Sequence, residues 1–472
     1  MIKPVRKTIS TSLLLGALAF AAPSCDIIEK EPIENLSPDS AFTTPQRIEK
    51  AVVGMYDDTQ NAEFLGGRAL IYSDIRGADT DPATYFGNIG LFNTLSSDGT
   101  VTNAWTGGYR AIYTTNLFLQ ALEANRAKVP TEVLAKQYEA EAKFLRALNH
   151  WYLVNLFAQP YTFTTDGSHL GIPIALKAFD ASTAFTPEAQ LARSSVAQVY
   201  AQIEKDLQFA AQNLPTRTGV MFSDVARATK GAAEALLMRL YLYKGDNVKA
   251  LEQATKVDAM GYKLNSSPVT VFSNYTTWES IFSVAHNLND NPNTNHALGQ
   301  HYGRRRDISV DPYLSLFPAN STDLRVYTLT KKEDGKTYTL KYTDNSQWVP
   351  VIRYAEVVLT KAEALAKQSL ANGTVNETAV AFLNEIRTRA NASTFQSSDF
   401  SNNSELLEAV LLERRRELAF EGHGMFDLLR NKKDIPANGN NKLQVYGSDK
   451  TILPIPLVET QANPNLKQNP GY

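Results

Sequence analysis

Acidic residues and a histidine are concentrated near the C-terminal end of the chain, in the segment ERRRELAFEGHGMFDLLR (413–430). This segment holds Glu417, Glu421, His423 and Asp427, residue types that can transfer protons or bind a metal ion. Their spacing does not match the HExxH pattern, and no second histidine lies within 100 residues. We therefore predict a helix face whose carboxylates are solvated or bonded to arginines and have a structural role.

The remaining sequence motifs also argue against catalysis. The chain has no GxSxG nucleophile motif, no P-loop and no GxGxxG fingerprint. It contains 47 basic and 49 acidic residues, a formal net charge of −2, which gives no general attraction to nucleic acid. The run Arg304–Arg306 is too short to change this. We predict a protein that is not an enzyme, with no catalytic residues, metal or cofactor and no nucleic-acid partner.

Two segments combine aromatic rings with hydrogen-bonding side chains. Sugar ligands need ring faces for stacking and fixed donors and acceptors for their hydroxyl groups. We therefore predict a ligand-binding site in these segments, although the same residues could serve loop packing and turns. The first segment holds Asp74, Arg76, Asp79, Asp81, Tyr85 and Phe86, and the second holds His286, Asn287, Asn289, Asn291, Tyr302 and Arg304.

Other aromatic residues are spaced as a helix core requires. Trp105, Tyr109 and Tyr113 recur at intervals of four, so we predict that they face the interior. His150 lies beside Trp151 in an aromatic stripe, which indicates a packed, hydrogen-bonded histidine rather than a ligand.

Helices are the elements that must position these residues. Ser195 is followed three residues later by Gln198, a capping-box spacing, and apolar residues then recur at helical intervals until Pro215. Another helix is predicted after Pro130. Long irregular stretches are expected at 74–103 and 284–325, and the alternation in KTYTLKY (336–342) predicts a strand or hairpin.

Two pairs of helices are predicted to form hairpins. The first comprises 232–243 and about 247–259, joined at Gly245-Asp246, and it resembles a tetratricopeptide unit. The second comprises 354–367 and 376–390. One such unit cannot bury its own apolar face, so neighbouring helices must stack on it. The predicted fold is mostly α, with tetratricopeptide-like hairpins, long inserted loops and minor β-hairpins.

The N-terminus resembles a bacterial lipoprotein signal. A basic start is followed by ten apolar residues, Leu13–Ala22, and then by small residues and Cys25, the sole cysteine. Cleavage before Cys25 would free its thiol and amine for acylation, which would anchor the protein to a membrane. The alternative is an ordinary secretory signal with an incidental cysteine. The acidic residues that follow suit either a surface-export signal or a solvated tether.

Seven segments, in this order, resemble the SusD/RagB family of nutrient-binding outer-membrane lipoproteins. They are residues 140–157, 193–207, 227–246, 351–366, 383–390, 413–430 and 452–472. One departure is at Gly424 and Met425, where the family often has arginine and a large aromatic residue. The resemblance predicts a signal peptide at 1–24, a lipid-anchored tether at 25–40 and one SusD-like domain at 41–472, with halves at about 41–260 and 261–472.

The resemblance also implies a function. Family members are lipid-anchored in the outer membrane of Gram-negative bacteria, and we expect this chain to be exposed at the cell surface. It would bind a nutrient, most simply an oligosaccharide, and pass it to a TonB-dependent, SusC-like transporter. Two alternatives stay open at this point: the same fold binding peptides, as RagB-type members do, and a helical glycoside hydrolase with a carboxylate pair across a cleft.

Overall fold

Helices make up most of the described structure. The computed structural model describes residues 41–82, 84–438 and 442–472; the predicted signal peptide, Cys25 and the tether lie outside the described residues. The longer helices are α1 (Pro45–Thr59), α2 (Arg68–Ile75), α3 (Gly99–Asn125), α4 (Glu132–Phe157), α5 (Val196–Asn213), α6 (Lys230–Lys244), α7 (Asn247–Asp258), α8 (Tyr354–Gln368), α9 (Glu377–Arg389), α10 (Asn403–Glu417), α11 (Gly424–Arg430) and α12 (Leu457–Ala462).

Short helical turns and strands connect the longer helices. The short α-helical turns are Gly87–Gly90, Phe222–Ala226, Thr270–Ser273, Asn293–His296, Asp311–Leu314 and Leu324–Thr328, with a π-helical turn at Gly299–Arg304. The 3₁₀ turns are Thr84–Phe86, Arg126–Lys128, Tyr161–Phe163, Ser397–Asp399 and Asp449–Thr451. The strands are β1 (Asp81–Pro82), β2 (Ser280–Val284), β3 (Ile308–Ser309), β4 (Thr330–Glu333), β5 (Lys336–Thr339) and β6 (Val349–Arg353).

The longer helices pack largely on their neighbours along the chain. Helix α3 contacts α1 and α4, and the contacts then continue from α4 to α5, α6, α7 and α8. Helix α8 packs against both α9 and α10. This succession is the stacking that the helical hairpins were expected to need, because each helix buries its apolar stripe against the next one. It also joins the N-terminal and C-terminal halves of the chain in one stack.

Local sequence signals account for several helix ends. The Ser195 hydroxyl accepts a hydrogen bond from the Gln198 backbone N–H, while the Gln198 side chain accepts from the Ser195 N–H, so the predicted capping box is confirmed. Helix α6 ends at Gly245, whose φ of 79° is the left-handed conformation that glycine adopts without strain. Tyr241 on α6 and Ala250 on α7 are both buried, as the packing of the predicted hairpin requires.

Three small antiparallel pairs make up the β-structure. Strands β4 and β5 form the hairpin expected near 336–342. Strands β2 and β6 pair beneath the helices, and β6 ends at Arg353 inside the protein. Strands β1 and β3 pair Asp81 with Ser309 and Pro82 with Ile308. This last pair joins the two segments in which ligand-binding residues were predicted.

The expectation of an irregular stretch at 74–103 was wrong at both ends. Asp74 belongs to helix α2, and helix α3 begins at Gly99. Sequence pattern missed α2 because all eight of its residues are buried, so it lacks the polar face that marks an amphipathic helix.

Candidate functional site

The two predicted ligand-binding segments meet in the structure. The Tyr302 hydroxyl donates a hydrogen bond to Asp74 Oδ2 over 3.0 Å, and the Gly422 backbone N–H donates to Asp74 Oδ1 over 3.0 Å. Burial raises the pKa of Asp74 well above its ordinary value, and the hydrogen bonds from Tyr302 and Gly422 only partly oppose this. Asp74 and Tyr302 therefore connect α2, the π-helical turn and the turn before α11 inside the protein.

Two further predicted residues are also held inside the protein. Arg76 is fully buried; its guanidinium donates to the Lys450 carbonyl oxygen over 2.6 Å and lies 4.9 Å from the centre of the Phe92 ring. Burial lowers the pKa of Arg76 to about 10. Asp79 forms an ion pair with Arg415 over 2.7 Å, and burial raises the pKa of Asp79 despite this partner. The charged groups of Arg76 and Asp79 are therefore engaged inside the protein.

Aromatic and cationic groups from both segments come together around Tyr85, and Tyr85 and Arg305 are the exposed members. The Tyr85 side chain is 43% exposed, and the buried Phe86 ring contacts it edge to face with 5.2 Å between ring centres. The His301 ring lies 5.1 Å from Tyr85 and 4.9 Å from Phe86. The Arg305 guanidinium carbon lies 4.2 Å from the centre of the Tyr85 ring. We call Tyr85, Phe86, His301, Arg305 and Arg68 the Tyr85 surface.

Hydrogen bonds hold the Tyr85 surface in place. Arg68 Nη2 donates to the Tyr85 hydroxyl over 3.1 Å. Asp307 accepts from Arg305 Nε and contacts His301 Nδ1, both over 2.7 Å. Burial lowers the pKa of His301 to about 4, as does the nearby Arg68 charge, although Asp307 favours the protonated ring. The aromatic and cationic groups are thus fixed before any ligand arrives.

The other predicted residues of the second segment lie elsewhere. His286 is buried, with its Nδ1 2.6 Å from the Gln60 amide nitrogen, and burial lowers its pKa to about 4. The Asn287 side chain accepts two backbone hydrogen bonds in a turn, which is the turn role that had been kept open for such residues. Arg304 is exposed and pairs with Asp344 over 3.4 Å.

Three residues of the Tyr85 surface were not singled out from the sequence. Arg68 precedes the first segment, and Arg305 had been assigned to a short basic run without function. His301 directly precedes Tyr302, so the prediction of Tyr302 was the one sequence signal that pointed to this position. Nothing local in the sequence indicated Arg68, because its contacts at the site, the Tyr85 hydroxyl and the Asn295 carbonyl oxygen, come from residues distant in the chain.

The acidic residues of the segment 413–430 belong to a buried ion-pair network. Glu417 accepts hydrogen bonds from Arg353 over 2.6 Å, Arg389 over 2.5 Å and Arg325 over 3.1 Å. Burial alone would raise the pKa of Glu417, but these guanidinium groups outweigh it and hold the pKa well below the ordinary range. The prediction of an arginine-bonded face is confirmed, and the face is buried rather than solvated.

This network leaves no free carboxylate pair at Glu417 and Glu421. Glu421 accepts from Arg353 and Lys341, both over 2.6 Å, and its carboxylate is buried. Among the described residues, no group of three or more His, Cys, Asp or Glu side chains is arranged to hold a metal ion. The hydrolase alternative therefore gains no support from this segment.

Within the part of the chain that the structure describes, no helix is both long and apolar enough to cross a membrane.

Comparison with known proteins identifies relatives along nearly the whole chain. A family model described as "Starch-binding associating with outer membrane" matches residues 28–242, and the SusD family model matches residues 269–472. SusD-like protein P2 of Formosa agariphila is 26% identical, over 96% of this chain and 98% of the relative.

Solved structures give the same result. A SusD superfamily protein from Bacteroides fragilis is 30% identical, with a TM-score of 0.80 over 90% of this chain and 100% of its own. A SusD-like carbohydrate binding protein from Bacteroides vulgatus, 21% identical, shares the fold with a TM-score of 0.73 over 90% of this chain and 97% of its own. On the strength of these matches, the chain belongs to the SusD family.

Proposed function

We propose that this protein is a glycan-binding lipoprotein of a Gram-negative outer membrane that passes its ligand to a TonB-dependent, SusC-like transporter. The observation that carries the proposal is the match of residues 28–242 to a family described as starch-binding and associated with the outer membrane. That range includes Tyr85, the exposed aromatic residue at which the two predicted segments meet. The proposal is one of binding and transfer, without bond cleavage.

The Tyr85 surface suits a sugar ring. Tyr85 offers exposed aromatic surface, and Arg305, whose guanidinium lies over the Tyr85 ring, offers donors for hydroxyl groups. Because Asp307 already holds Arg305, less side-chain freedom is lost when a ligand binds. Asp307 is itself paired with Arg305 and His301, so it is not a free acid or base for hydrolysis.

Binding of soluble α-glucan by a Tyr85→Ala variant tests this role. Loss of the aromatic face should weaken binding by about 5- to 10-fold, as expected for a stacking contribution of roughly 1 kcal/mol or slightly more. The control is Tyr327→Ala, since Tyr327 is another exposed tyrosine, 63% exposed, outside the Tyr85 surface. Isothermal titration calorimetry measures both variants. Equal affinities in Tyr85→Ala and the wild type would remove Tyr85 from the site.

The cargo class is tested by the same titration with peptides in place of glycans. The proposal expects heat of binding with glycans only. A protein that bound peptides and no glycan would instead fit the peptide-binding members of the fold.

The membrane anchor is tested at Cys25. Acylation of its thiol and amine would make membrane association depend on this one residue. The Cys25→Ala variant should therefore appear in the soluble fraction, whereas a Ser24→Ala variant should stay with membranes. Persistent membrane association of Cys25→Ala would contradict a lipid anchor at this position.

The transporter partner is tested by purifying the wild-type protein from detergent-solubilised membranes. A large barrel protein should co-purify with it, and repeated absence of such a protein would count against the transporter partner.

A further inference from the structure

The structure contains a cleft that is separate from the Tyr85 surface and shares no lining residue with it. It lies between α3, the segment 173–191 and α12, and its volume is about 540 Å³. Ligand pockets in proteins typically enclose about 300–1,000 Å³. The predicted core stripe Trp105, Tyr109 and Tyr113 lines one wall. The prediction that this stripe is core holds for Trp105, which is 3% exposed, but not for Tyr113, which is 40% exposed.

The aromatic wall is rigid. The rings of Trp105 and Tyr109 lie 4.7 Å apart, and Phe157 supports Trp105 edge to face at 5.0 Å. The Tyr109 hydroxyl donates to the Pro173 carbonyl oxygen over 2.8 Å, which ties this wall to the opposite one.

Hydrogen bonds also fasten the segment 173–191 to the helices on either side. The Asn116 amide on α3 donates to the Ala175 carbonyl oxygen over 3.0 Å. The Asn463 amide, directly after α12, donates to the Leu191 carbonyl oxygen over 2.8 Å. The cleft is therefore formed before any ligand binds, which lowers the entropic cost of binding.

Several polar groups at this cleft have no partner within the described residues. The Glu459 carboxylate on α12 makes no hydrogen bond or ion pair there, and burial raises its pKa. The exposed Lys177 and the Trp105 indole N–H also line the cleft, and neither makes a hydrogen bond to another described residue. Buried polar groups normally find partners, and Glu459 is partly buried without one. An unpaired carboxylate beside an aromatic wall, with donors nearby, therefore suits a ligand that has hydroxyl groups and an apolar face.

We propose that this cleft is a second carbohydrate site, in which one ring of a neutral glycan packs on the aromatic stripe and its hydroxyl groups bond to Glu459, Lys177 and the Trp105 N–H. The inference rests on the proposed function, because it assigns a further site for the same class of ligand. One unpaired carboxylate and one unpaired ammonium group balance in charge, which favours a neutral sugar over an anionic one. An apolar ligand would leave Glu459 unpaired and without water.

Titration with short neutral glycans tests the second site. The probes are maltotriose, cellotriose, xylotriose and mannotriose, each too short to serve as a long bridging chain. The wild type should bind two molecules of at least one trisaccharide. Tyr113→Ala should reduce the stoichiometry to one or weaken the second site by about tenfold, whereas Tyr113→Phe, which keeps the ring, should bind as the wild type does. Thermal melting confirms that each variant is folded.

The Tyr85→Ala variant separates this inference from the proposed function. If the second site exists, Tyr85→Ala weakens one of the two binding events and leaves the other unchanged, and the double variant Tyr85→Ala/Tyr113→Ala weakens both. If Tyr85→Ala weakens all of the observed binding and Tyr113→Ala changes nothing, the second site is refuted while the proposed function stands. A wild-type protein that binds none of the four trisaccharides would overturn both.

Discussion

Replacement of Glu417 by glutamine should destabilise the whole fold. Glu417 is the common partner of Arg325, Arg353 and Arg389, and the side chains of all four residues are at most 5% exposed. Glutamine keeps the shape of the side chain but removes its charge. The three guanidinium groups would then lose a shared anion in a region from which water is excluded, and that loss is costly.

The expected size of the effect follows from the burial of these groups. Removal of one partner of a buried ion pair typically costs about 3–5 kcal/mol. The structure describes roughly 430 residues, and an unfolding entropy of about 2.1 cal/mol/K per residue gives about 0.9 kcal/mol/K for a domain of this size. The melting temperature of Glu417→Gln should therefore fall by about 3–6 °C.

Differential scanning calorimetry at neutral pH measures this change. The matched control is Glu408→Gln on the same helix, α10, where Glu408 is 60% exposed and pairs with Lys433, itself 37% exposed. Such surface pairs contribute about 0–1 kcal/mol, so the control should melt within about 1 °C of the wild type. Equal melting temperatures for Glu417→Gln and Glu408→Gln would refute the argument that the buried network stabilises the fold.

Three further predictions concern stability. Glu417 and its neighbouring carboxylates Glu413 and Glu421 have pKa values below the ordinary 4.5, because their arginine and lysine partners outweigh burial. The free energy of unfolding should therefore stay constant above pH 4.5 and decrease below it, which urea titrations at a series of pH values would measure. Gly422→Ala should lower the melting temperature more than Gly335→Ala: both glycines have positive φ, but only at Gly422 would a Cβ lie 2.8 Å from Leu70 Cγ, and equal shifts would exclude crowding. Loss of the capping box in Ser195→Ala should cost about 1 kcal/mol in a denaturant titration, and an unchanged midpoint would contradict it.

Much of the helical architecture was predictable from local patterns. The capping box at Ser195 and the glycine at 245 marked helix ends, because their effects act within one turn of the chain. The hairpin of α6 and α7 followed from two adjacent helical segments joined at Gly245-Asp246. Helix α2 was missed, since a fully buried helix has no polar face to produce a period.

The candidate site was predictable only as a pair of segments. Asp74, Arg76 and Tyr302 carry the same kinds of groups as Tyr85, yet they are buried and bonded inside the protein. Conversely, Tyr113 follows the spacing of a core residue but is 40% exposed, because it lines the cleft between α3 and the segment 173–191. Exposure depends on what packs against a residue, and its own type does not reveal that.

The sequence by itself determined the mostly helical fold, the main helix boundaries and the resemblance to the SusD/RagB family, since these depend on residues close together in the chain or on segments in a recognisable order. Only the tertiary structure decided which charged residues form the buried network around Glu417 and which aromatic residues remain open to a ligand. Both outcomes depend on contacts between residues far apart in the chain, such as Tyr85 with Arg305 and Glu417 with Arg353, whose energies exist only once the helices have packed.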